Sequence, residues 1–259
     1  GKNIFVKNNV VVKLFPTLPW GNKIQKMISV IFSFTYLFVY LLFNVKNTEQ
    51  IIVYHSRWLS LPILLLKKIK RKITLILEVE EIYNDVRKSK FWEKFEYMLF
   101  NSADKFIFPT ELLNDKVNIN SKPSTVLYGS YSIEPIIESK FKDGKIHVVY
   151  AGTLDPRKGS ILAVEAVQYL PSNFHVHIIG FGRKKDKENL LKVISDISAK
   201  SDATVSYDGL LDGNDYIEFL QKCDIGLSTQ IPNAEYNETS FPSKILSYLT
   251  NGLKVVSIK

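Results

Sequence analysis

The sequence predicts an α/β protein with two Rossmann-like, doubly wound units whose parallel sheets face each other across a cleft. Short β-branched runs alternate with longer helical segments along the 259 residues, which is the order expected of parallel sheets. The alternation stops once, between about 130 and 145, where periodicity is weak and Pro135 and Gly144 occur. We therefore predict a first unit over 1–135, a linker, and a second unit over 145–259.

The first half contains five predicted strands and three predicted helices. The strands are 9–15, 50–54, 73–77, 105–108 and 124–128, and the helices are 27–43, 58–68 and 90–101. This half opens without the strand and glycine-bearing turn that usually start such a unit, and the chain stops directly after a strand. Both ends are therefore expected to be incomplete.

The second half repeats the pattern more regularly. Predicted strands at 146–151, 175–179, 204–207, 224–228 and 254–258 alternate with predicted helices at 158–170, 186–199, 213–222 and 242–250. Right-handed crossovers place the carboxyl ends of such strands on one edge of the sheet. Each run ends in Gly or a small polar residue, where a parallel strand delivers its chain to a ligand crevice.

The composition indicates an anionic partner and a reducing compartment. The net charge of +8 fits nucleotide phosphates, a membrane surface or nucleic acid. No aromatic-basic signature accompanies the lysine clusters, so we do not expect nucleic acid. Cys223 is the single cysteine, which excludes an internal disulfide and a cysteine-based metal cluster. Together with the lack of a signal-peptide pattern, it favours the cytoplasm.

Residues 27–43 form an uncharged, aromatic-rich stretch whose length lies at the lower limit for crossing a bilayer. Three serine or threonine residues interrupt it, and strand-like runs lie on either side. We favour a helix buried against a sheet. A membrane-contacting helix and a true span are the alternatives.

The segment from Gly152 to Gly159 joins a predicted strand to a predicted helix. Backbone amides at the start of that helix attract phosphate oxygens. Arg157 adds a planar bidentate donor and Lys158 adds a point charge. The alternative is that both cations are solvated residues of an exposed turn.

Phe241-Pro242-Ser243-Lys244 predicts a second helix start that binds an anion. Proline suits the first helical turn, where its missing donor costs nothing. Amides near Ser243 and Lys244 then point at a diphosphate, and the lysine neutralises it. An ordinary cap with a surface lysine is the alternative.

Glycines follow two other predicted strands. Gly180 and Gly182 form half of a dinucleotide fingerprint, but lysine at position 185 argues against a nicotinamide or flavin site. We expect these glycines to let the backbone pass close to a sugar or nucleotide. Leu210 and Leu211 follow the next strand, where backbone groups are placed to hydrogen-bond a base edge, although a simple turn explains them nearly as well.

In the first half, His55 ends a predicted strand on the side of the crevice. A neutral imidazole there is suited to donate to a sugar hydroxyl or to assist a transfer step; a core histidine bonded to backbone is the alternative. Another predicted strand ends at an acidic cluster, Glu78, Glu80 and Glu81. These carboxylates are suited to bind acceptor hydroxyls or to act as a base, and the alternative is that they are paired surface carboxylates.

Three further histidines lie in or beside predicted strands: His147, His175 and His177. Alternation along a strand puts His175 and His177 on one face. Because no Asp or Glu accompanies them at ligand spacing, we expect no metal site.

Taken together, these motifs resemble the retaining GT-B glycosyltransferases. The resemblance is to glycosyltransferase family 4 and its members in bacterial capsule, exopolysaccharide and lipopolysaccharide assembly. It covers 147–257 well and the first half more loosely, through 53–56 and the strand spacing. The resemblance implies donor-diphosphate contacts at Gly152, Arg157, Lys158, Ser243 and Lys244, and a histidine near the reacting sugar at His55.

One departure from that family concerns a pair of glutamates separated by seven residues. Alignment on the last helix puts Thr239 and Ser247 at those positions, with Glu238 and Glu235 near the first. The hydroxyl of Ser247 cannot accept the bidentate pair of hydrogen bonds that a carboxylate accepts from a ribose diol. Glu238, Thr239 and Ser247 stay in the predicted donor site, but we expect weaker ribose recognition and modest donor affinity.

The resemblance implies a hexosyltransferase that acts with retention and without a metal or other cofactor. It takes a nucleotide-sugar donor, a UDP- or GDP-sugar, and a lipid-linked or polysaccharide acceptor in surface polysaccharide biosynthesis. His55, Arg157 and Lys244 are then the catalytic residues, with the two cations stabilising the departing diphosphate. The basic charge and the aromatic stretch predict peripheral contact with the anionic inner face of the cell membrane.

Two other functions stay open at this point. A nucleotide-sugar epimerase of the same two-lobe type needs acid and base carboxylates, for which Glu80 and Glu81 are candidates. A non-catalytic nucleotide-sugar-binding subunit of a transferase fits the absent glutamate pair.

Overall fold

The computed structural model describes residues 4–86, 89–129, 131–136, 140–230 and 243–258. The chain divides into two compact units, Gly1–Tyr128 and Gly129–Lys259. Residues 131–136, which the sequence assigned to the first unit and the linker, contact the second unit. The amide of Glu134 donates to the carbonyl of Thr250 at 3.2 Å, and Gln221 donates to the carbonyl of Pro135 at 2.9 Å.

The first unit contains a hairpin and a four-stranded parallel sheet in the order β3-β4-β5-β6. Alternate residues of its central strands point into the core; Leu75 and Leu77 are fully buried beside Phe106 and Phe108. The elements in chain order are β1 (Ile4–Lys7), β2 (Val10–Lys13), α1 (Lys23–Asn44), β3 (Gln50–Tyr54), α2 (Arg57–Ile69), β4 (Thr74–Glu78), α3 (Tyr83–Val86), α4 (Lys90–Ser102), β5 (Lys105–Phe108), α5 (Glu111–Val117) and β6 (Ser124–Val126).

The predicted strand at 9–15 is instead the second half of an antiparallel hairpin, β1 and β2. Asn8 and Asn9 both adopt positive φ, at 51° and 63°, and form its two-residue turn. This backbone conformation matches the twist of the two strands and suits asparagine. The sequence prediction missed the hairpin because it assigned no strand before residue 9.

Helix α1 begins with a capping box, in which Asn22 and Gln25 each accept a hydrogen bond from the other's backbone amide at 3.0 Å. It is long and apolar enough to cross a membrane, with a mean hydropathy of 1.9, and only 6% of that window is buried. Our expectation of a helix buried against a sheet is therefore wrong. The helix is apolar on all sides, so its pattern did not indicate which face packs; Leu41 near its end packs against the core.

The second unit is a five-stranded parallel sheet in the order β11-β10-β7-β8-β9. Core clusters form around Tyr150 and Ile178, and around Val149 and Tyr248. The predicted doubly wound α/β class is confirmed. The elements are β7 (Ile146–Thr153), a 3₁₀ turn (Pro156–Lys158), α6 (Ser160–Glu165), a second 3₁₀ turn (Ala166–Tyr169), β8 (Phe174–Phe181), α7 (Lys184–Ser198), β9 (Thr204–Gly209), α8 (Gly213–Lys222), β10 (Ile225–Ser228), α9 (Ser243–Thr250) and β11 (Lys254–Ser257).

The predicted helix 158–170 is broken into three short pieces. Gly159 has a φ of 91°, which helices do not accommodate, so it separates the first 3₁₀ turn from α6. The other predicted helices of this unit match α7, α8 and α9 to within two residues. The break places Lys158, the first residue of the predicted helix, in a tight 3₁₀ turn after β7 together with Arg157.

Candidate functional site

The strand order of the second unit points to a ligand position at the end of β7. The chain runs from β7 to β8 and β9 on one side, then returns to place β10 and β11 on the other. The strand order therefore reverses between β7 and β10. In open parallel sheets, ligands bind outside the carboxyl ends of the strands at such a switch point.

Close packing explains the glycines at the ends of β7 and β8. Gly152 and Gly180 are register partners. A Cβ on Gly180, whose φ is 137°, would lie 1.7 Å from the carbonyl oxygen of Gly152. A Cβ on Gly182 would lie 2.8 Å from the Cβ of Leu154. These glycines let the two strand ends approach each other, while their predicted closeness to a sugar stays a prediction.

The turn after β7 is held in place by Asp155. Its carboxylate accepts the backbone amide of Arg157 at 3.0 Å and pairs with the guanidinium at 2.7 Å. The hydrogen bond from Arg157 is the largest cause that lowers the pKa of Asp155. Arg157 is therefore at the predicted place, half-exposed, but its side chain contacts this neighbouring carboxylate.

The loop after β10 covers the start of α6. The hydroxyl of Thr229 donates to the carbonyl of Gly159 at 2.8 Å, and a Cβ on that glycine would lie 1.7 Å from the carbonyl oxygen of Thr229. Ser160, the first residue of α6, is fully buried and donates to the carbonyl of Leu154 at 3.2 Å. The predicted anion site at this helix start is therefore limited to the two basic residues of the preceding turn.

Tyr248 fixes the position of α9 against the sheet. Its hydroxyl accepts from the amide of Ala151 at 2.9 Å and donates to the carbonyl of Leu227 at 3.1 Å. It thereby joins β7 to β10 at the switch point. Lys244 precedes it by four residues, so both side chains lie on the same face of the helix.

Lys244 extends from α9 to the end of β7. Its Nζ lies 3.0 Å from the hydroxyl of Tyr150 and 4.1 Å from the centroid of that ring. A Cβ on Gly152 would lie 2.9 Å from the same Nζ. Burial, and secondly the charge of Lys158, lower the pKa of Lys244 to about 8. A cation of perturbed pKa thus lies at the switch point.

The structure brings together part of the predicted donor site. Gly152, Lys158, Gly180 and Lys244 surround the end of β7, where the carbonyl of Lys158 accepts from Tyr150 at 3.0 Å. Arg157 is adjacent in the chain. Ser243 is exposed at the start of α9. Glu238, Thr239, Phe241 and Pro242 lie outside the described residues.

Three other predicted contacts lie near α8 or the end of β9. The hydroxyl of Ser247 is 3.2 Å from the hydroxyl of Tyr216 on α8. Leu210 is exposed, and Leu211 packs in part against the core around Tyr248. Their contacts with ribose and base stay predictions.

His55 is an interior residue of the first unit. It is 2% exposed, with Nδ1 3.2 Å from the carbonyl of Glu81 and Nε2 3.3 Å from the carboxylate of Glu96. That carboxylate, also 2% exposed, accepts the amides of Tyr83 and Asn84 at 2.7 and 3.1 Å. This geometry agrees with the core-histidine alternative, and the predicted place of His55 near the reacting sugar stays a prediction.

The pKa of one glutamate in the acidic cluster at the end of β4 is raised. Burial, then the charges of Glu78 and Glu81, raise the pKa of Glu80. Its predicted acceptor or base role stays a prediction.

Sequence reasoning missed the two tyrosines that organise the site. Tyr150 and Tyr248 stand in apolar runs, where an aromatic residue ordinarily indicates core packing. Their hydroxyl partners lie up to 97 residues away in the chain. The one available signal was the hydroxyl itself, since a buried tyrosine usually needs a partner.

The histidines of the second unit lie toward the amino ends of the strands. Nδ1 of His147 lies 2.8 Å from Nε2 of His177. The other ring nitrogen of His147 lies 2.8 Å from the carboxylate of Asp143, and that of His177 lies 3.0 Å from the carboxylate of Asp208. Over the described residues, no group of three or more His, Cys, Asp or Glu side chains is arranged to hold a metal ion. The three histidine rings lie against one another, with His147 and His177 stacked on Phe141.

No protein-family model matches this chain, and no curated protein matches it. Solved structures do. HepE from Anabaena, with UDP and glucose, has a TM-score of 0.68 at 16% identity, over 96% of this chain and 67% of that one. Sucrose-phosphate synthase from Thermosynechococcus elongatus has a TM-score of 0.72 at 10% identity, over 99% and 68%. The pneumococcal O-GlcNAc transferase GtfA, with UDP and GlcNAc, has a TM-score of 0.62 at 13% identity, over 99% and 54%.

These neighbours are GT-B glycosyltransferases, and the likeness shows that this chain has their fold. The chain spans roughly half to two thirds of the length of the solved chains it matches. Retention and membership of family 4 stay predictions.

Proposed function

We propose that this chain is the glycosyltransferase, or part of one, that moves a sugar from a UDP-sugar to an acceptor hydroxyl. The donor diphosphate binds at the end of β7, between Lys244 and the turn that carries Arg157 and Lys158. The observation that supports this most is the place of Lys244, beside Gly152 at the topological switch point.

The electrostatics of Lys244 favour an anionic ligand. Burial and the neighbouring charge of Lys158 make its charged form costly, which is why its pKa is lowered. A diphosphate that contacts both ammonium groups reverses that cost, since it replaces repulsion by charge-assisted hydrogen bonds. Arg157 joins the site when its guanidinium exchanges Asp155 for a phosphate oxygen.

In the proposed reaction, the bond between the sugar C1 and the diphosphate oxygen breaks and a bond from C1 to the acceptor oxygen forms. The acceptor proton passes to the departing phosphate. Lys244 and Arg157 stabilise the charge that develops on the diphosphate, an electrostatic contribution that is often the largest in catalysis. Family resemblance supports a hexose donor, retention of configuration, and a lipid-linked or polysaccharide acceptor in surface polysaccharide biosynthesis.

The proposal also specifies the base of the donor nucleotide, which is uracil. The HepE structures hold UDP with glucose or UDP-glucose, and the GtfA structure holds UDP and GlcNAc. We carry this preference to the present chain, with a GDP-sugar as the second donor to test.

A calorimetric titration tests the proposal. We expect UDP to bind the wild-type chain and to lose most of its affinity in Lys244→Met. Lys192→Met on the exposed face of α7 is the matched control and binds as wild type. Absence of UDP and GDP binding to the folded wild-type chain, or equal UDP affinity in Lys244→Met, contradicts the proposal. Binding without transfer to any acceptor favours a non-catalytic binding subunit, and sugar isomerisation favours an epimerase.

We further propose that the first unit contacts the anionic cytoplasmic face of the membrane. Apolar side chains are exposed on α1 (Ile24, Ile31 and Phe43), on the hairpin (Val6) and on the segment between them (Trp20). Exposed lysines border them, and aromatic and basic residues on one surface suit an anionic interface. These lysines are Lys7, Lys13, Lys23 and Lys26.

Vesicle sedimentation tests this contact. We expect binding to vesicles that contain phosphatidylglycerol, and little binding to pure phosphatidylcholine. The double variant Ile24→Gln/Ile31→Gln loses the binding, while Ile119→Gln, an exposed apolar position elsewhere in the first unit, retains it. No sedimentation with the anionic vesicles at low salt contradicts the proposal.

A further inference from the structure

We infer that Tyr150 is a positioning residue that holds the Lys244 ammonium at the end of β7 and links it to the turn carrying Arg157 and Lys158. The inference rests on the proposed function, because it concerns how the diphosphate site is preorganised. Tyr150 itself is fully buried, so it acts on a ligand through Lys244 and the turn.

The partners of the Tyr150 hydroxyl determine which group donates and which accepts in each hydrogen bond. The oxygen lies 3.0 Å from Lys244 Nζ, 2.9 Å from the carbonyl of Thr153 and 3.0 Å from the carbonyl of Lys158. An ammonium group only donates and a carbonyl only accepts. The hydroxyl therefore accepts from Lys244 and donates its own proton to the carbonyls.

The ring of Tyr150 supplies a second contact to the same ammonium. Lys244 Nζ lies 4.1 Å from the ring centroid, within the range of a cation–π interaction. Tyr150 is the register partner of Ile178 on the neighbouring strand, and its side chain is fully buried in the core of the second unit. A long lysine side chain loses rotamer entropy when a ligand fixes it, and a prior hold by Tyr150 reduces that loss.

One hydroxyl thus contacts both halves of the proposed site. The carbonyl of Lys158 belongs to the turn after β7, and the ammonium of Lys244 belongs to α9. A tyrosine that only filled the core would be replaced by phenylalanine at little cost to the ligand site. The role inferred here requires the hydroxyl.

A double-mutant cycle on UDP affinity tests whether Tyr150 acts through Lys244. We expect Tyr150→Phe to weaken UDP binding about tenfold, as for the loss of one charge-assisted hydrogen bond. In the Lys244→Met background, the same change should have almost no further effect. An equal loss in both backgrounds overturns the inference. Tyr83→Phe, which removes a hydroxyl–carbonyl contact in the first unit, is the control with wild-type affinity.

A second measurement needs no ligand, so it separates this inference from the proposed function. Acetylation of Lys244 in the unliganded chain, followed by peptide mass spectrometry across pH, reports the pKa of its amine. Tyr150→Phe removes an acceptor that favours the ammonium, so the pKa should fall further below about 8. A lowered pKa supports the inference even where UDP fails to bind. An unchanged pKa overturns it even where UDP binds.

Discussion

The ring of Tyr248 lies directly against Gly226, where an added Cβ would be 2.3 Å from the ring Cγ. The missing side chain on β10 lets α9 approach the sheet closely. The tyrosine hydroxyl can then reach Ala151 and Leu227 on neighbouring strands. This approach determines where Lys244, one helical turn earlier, meets the end of β7.

Gly226→Ala should therefore lower both stability and UDP affinity. The added methyl group collides with the fully buried ring of Tyr248, and such overpacking costs about 1–3 kcal/mol. Because α9 moves outward, Lys244 leaves its place beside Gly152. Urea unfolding and UDP titration measure the two effects. A variant with wild-type values in both would show that α9 is not held in this way. Gly144→Ala, at a φ of 73° in open space, should lower stability through backbone strain alone and leave UDP affinity unchanged, so it separates a loss of stability from a displacement of α9.

Lys244→Met should be more stable than the wild type at pH 7 although it binds UDP poorly. The lysine has a pKa of about 8 in the fold and an ordinary value of 10.5. Below pH 8 it is charged in both states, and the folded state bears the cost of burying that charge, on the order of 2 kcal/mol. Removal of the charge removes the cost.

The stability difference between wild type and Lys244→Met shrinks across a defined pH window. Between pH 8 and 10.5 the unfolded lysine binds more protons than the folded one, so wild-type stability rises relative to Lys244→Met. Denaturant unfolding at pH 7 and at pH 10 should show the difference shrinking. A lower stability of the variant at pH 7 would contradict the assigned burial of a charged lysine.

UDP affinity should fall as the pH rises above about 8. Lys244 loses its proton in that range, and a neutral amine no longer attracts the diphosphate. Calorimetry from pH 6.5 to 9.5 tests this, with Lys244→Met expected to show a flatter profile. A wild-type profile that is flat through pH 9.5 would exclude Lys244 as the titrating contact.

Asp208→Asn should destabilise the second unit and leave UDP affinity unchanged. Burial opposes the charge on Asp208, but hydrogen bonds from His177 and Ser206 outweigh it and lower the pKa of the carboxyl. Asp208 lies on the edge strand β9, and its carboxylate contacts His177 of β8 rather than the residues at the end of β7. Replacement removes a charge-assisted hydrogen bond worth about 1–3 kcal/mol.

The stabilisation by the Asp208 carboxylate should depend on pH. Because the folded pKa of Asp208 is lowered, its stabilisation is present above the unfolded pKa and is lost as pH falls through the folded value. The difference between wild type and Asp208→Asn should therefore shrink in acid. Equal stabilities at pH 7 would contradict the account, and a large loss of UDP affinity would place this carboxylate nearer the ligand than the strand order indicates.

The sequence predicts the second unit well because its signals are local. Four of the five strands end at a glycine or small polar residue, β8 ends at Phe181 directly after Gly180, and α9 begins at Ser243 within one residue of its expected start. The hairpin of β1 and β2 depended on two asparagines with positive φ, which apolar alternation does not reveal. The prediction that α1 is buried failed because all faces of that helix are apolar, so the sequence does not indicate which face packs.

The site was predicted less completely because its geometry depends on distant residues. Basic side chains at two strand ends can be read from the sequence, and Lys244 indeed reaches Gly152. The contact of Arg157 with Asp155 could have been expected from their spacing, since an aspartate commonly caps such a turn. The hold of Tyr150 on Lys244 spans 94 residues, and no local pattern encodes it.

The most direct measurement is a crystal structure of the chain with UDP. We predict that a phosphate oxygen lies about 3 Å from Lys244 Nζ, at the end of β7, with Lys158 or Arg157 as a further contact. Diphosphate density elsewhere on the second unit, with Lys244 still bonded only to Tyr150, would contradict the account.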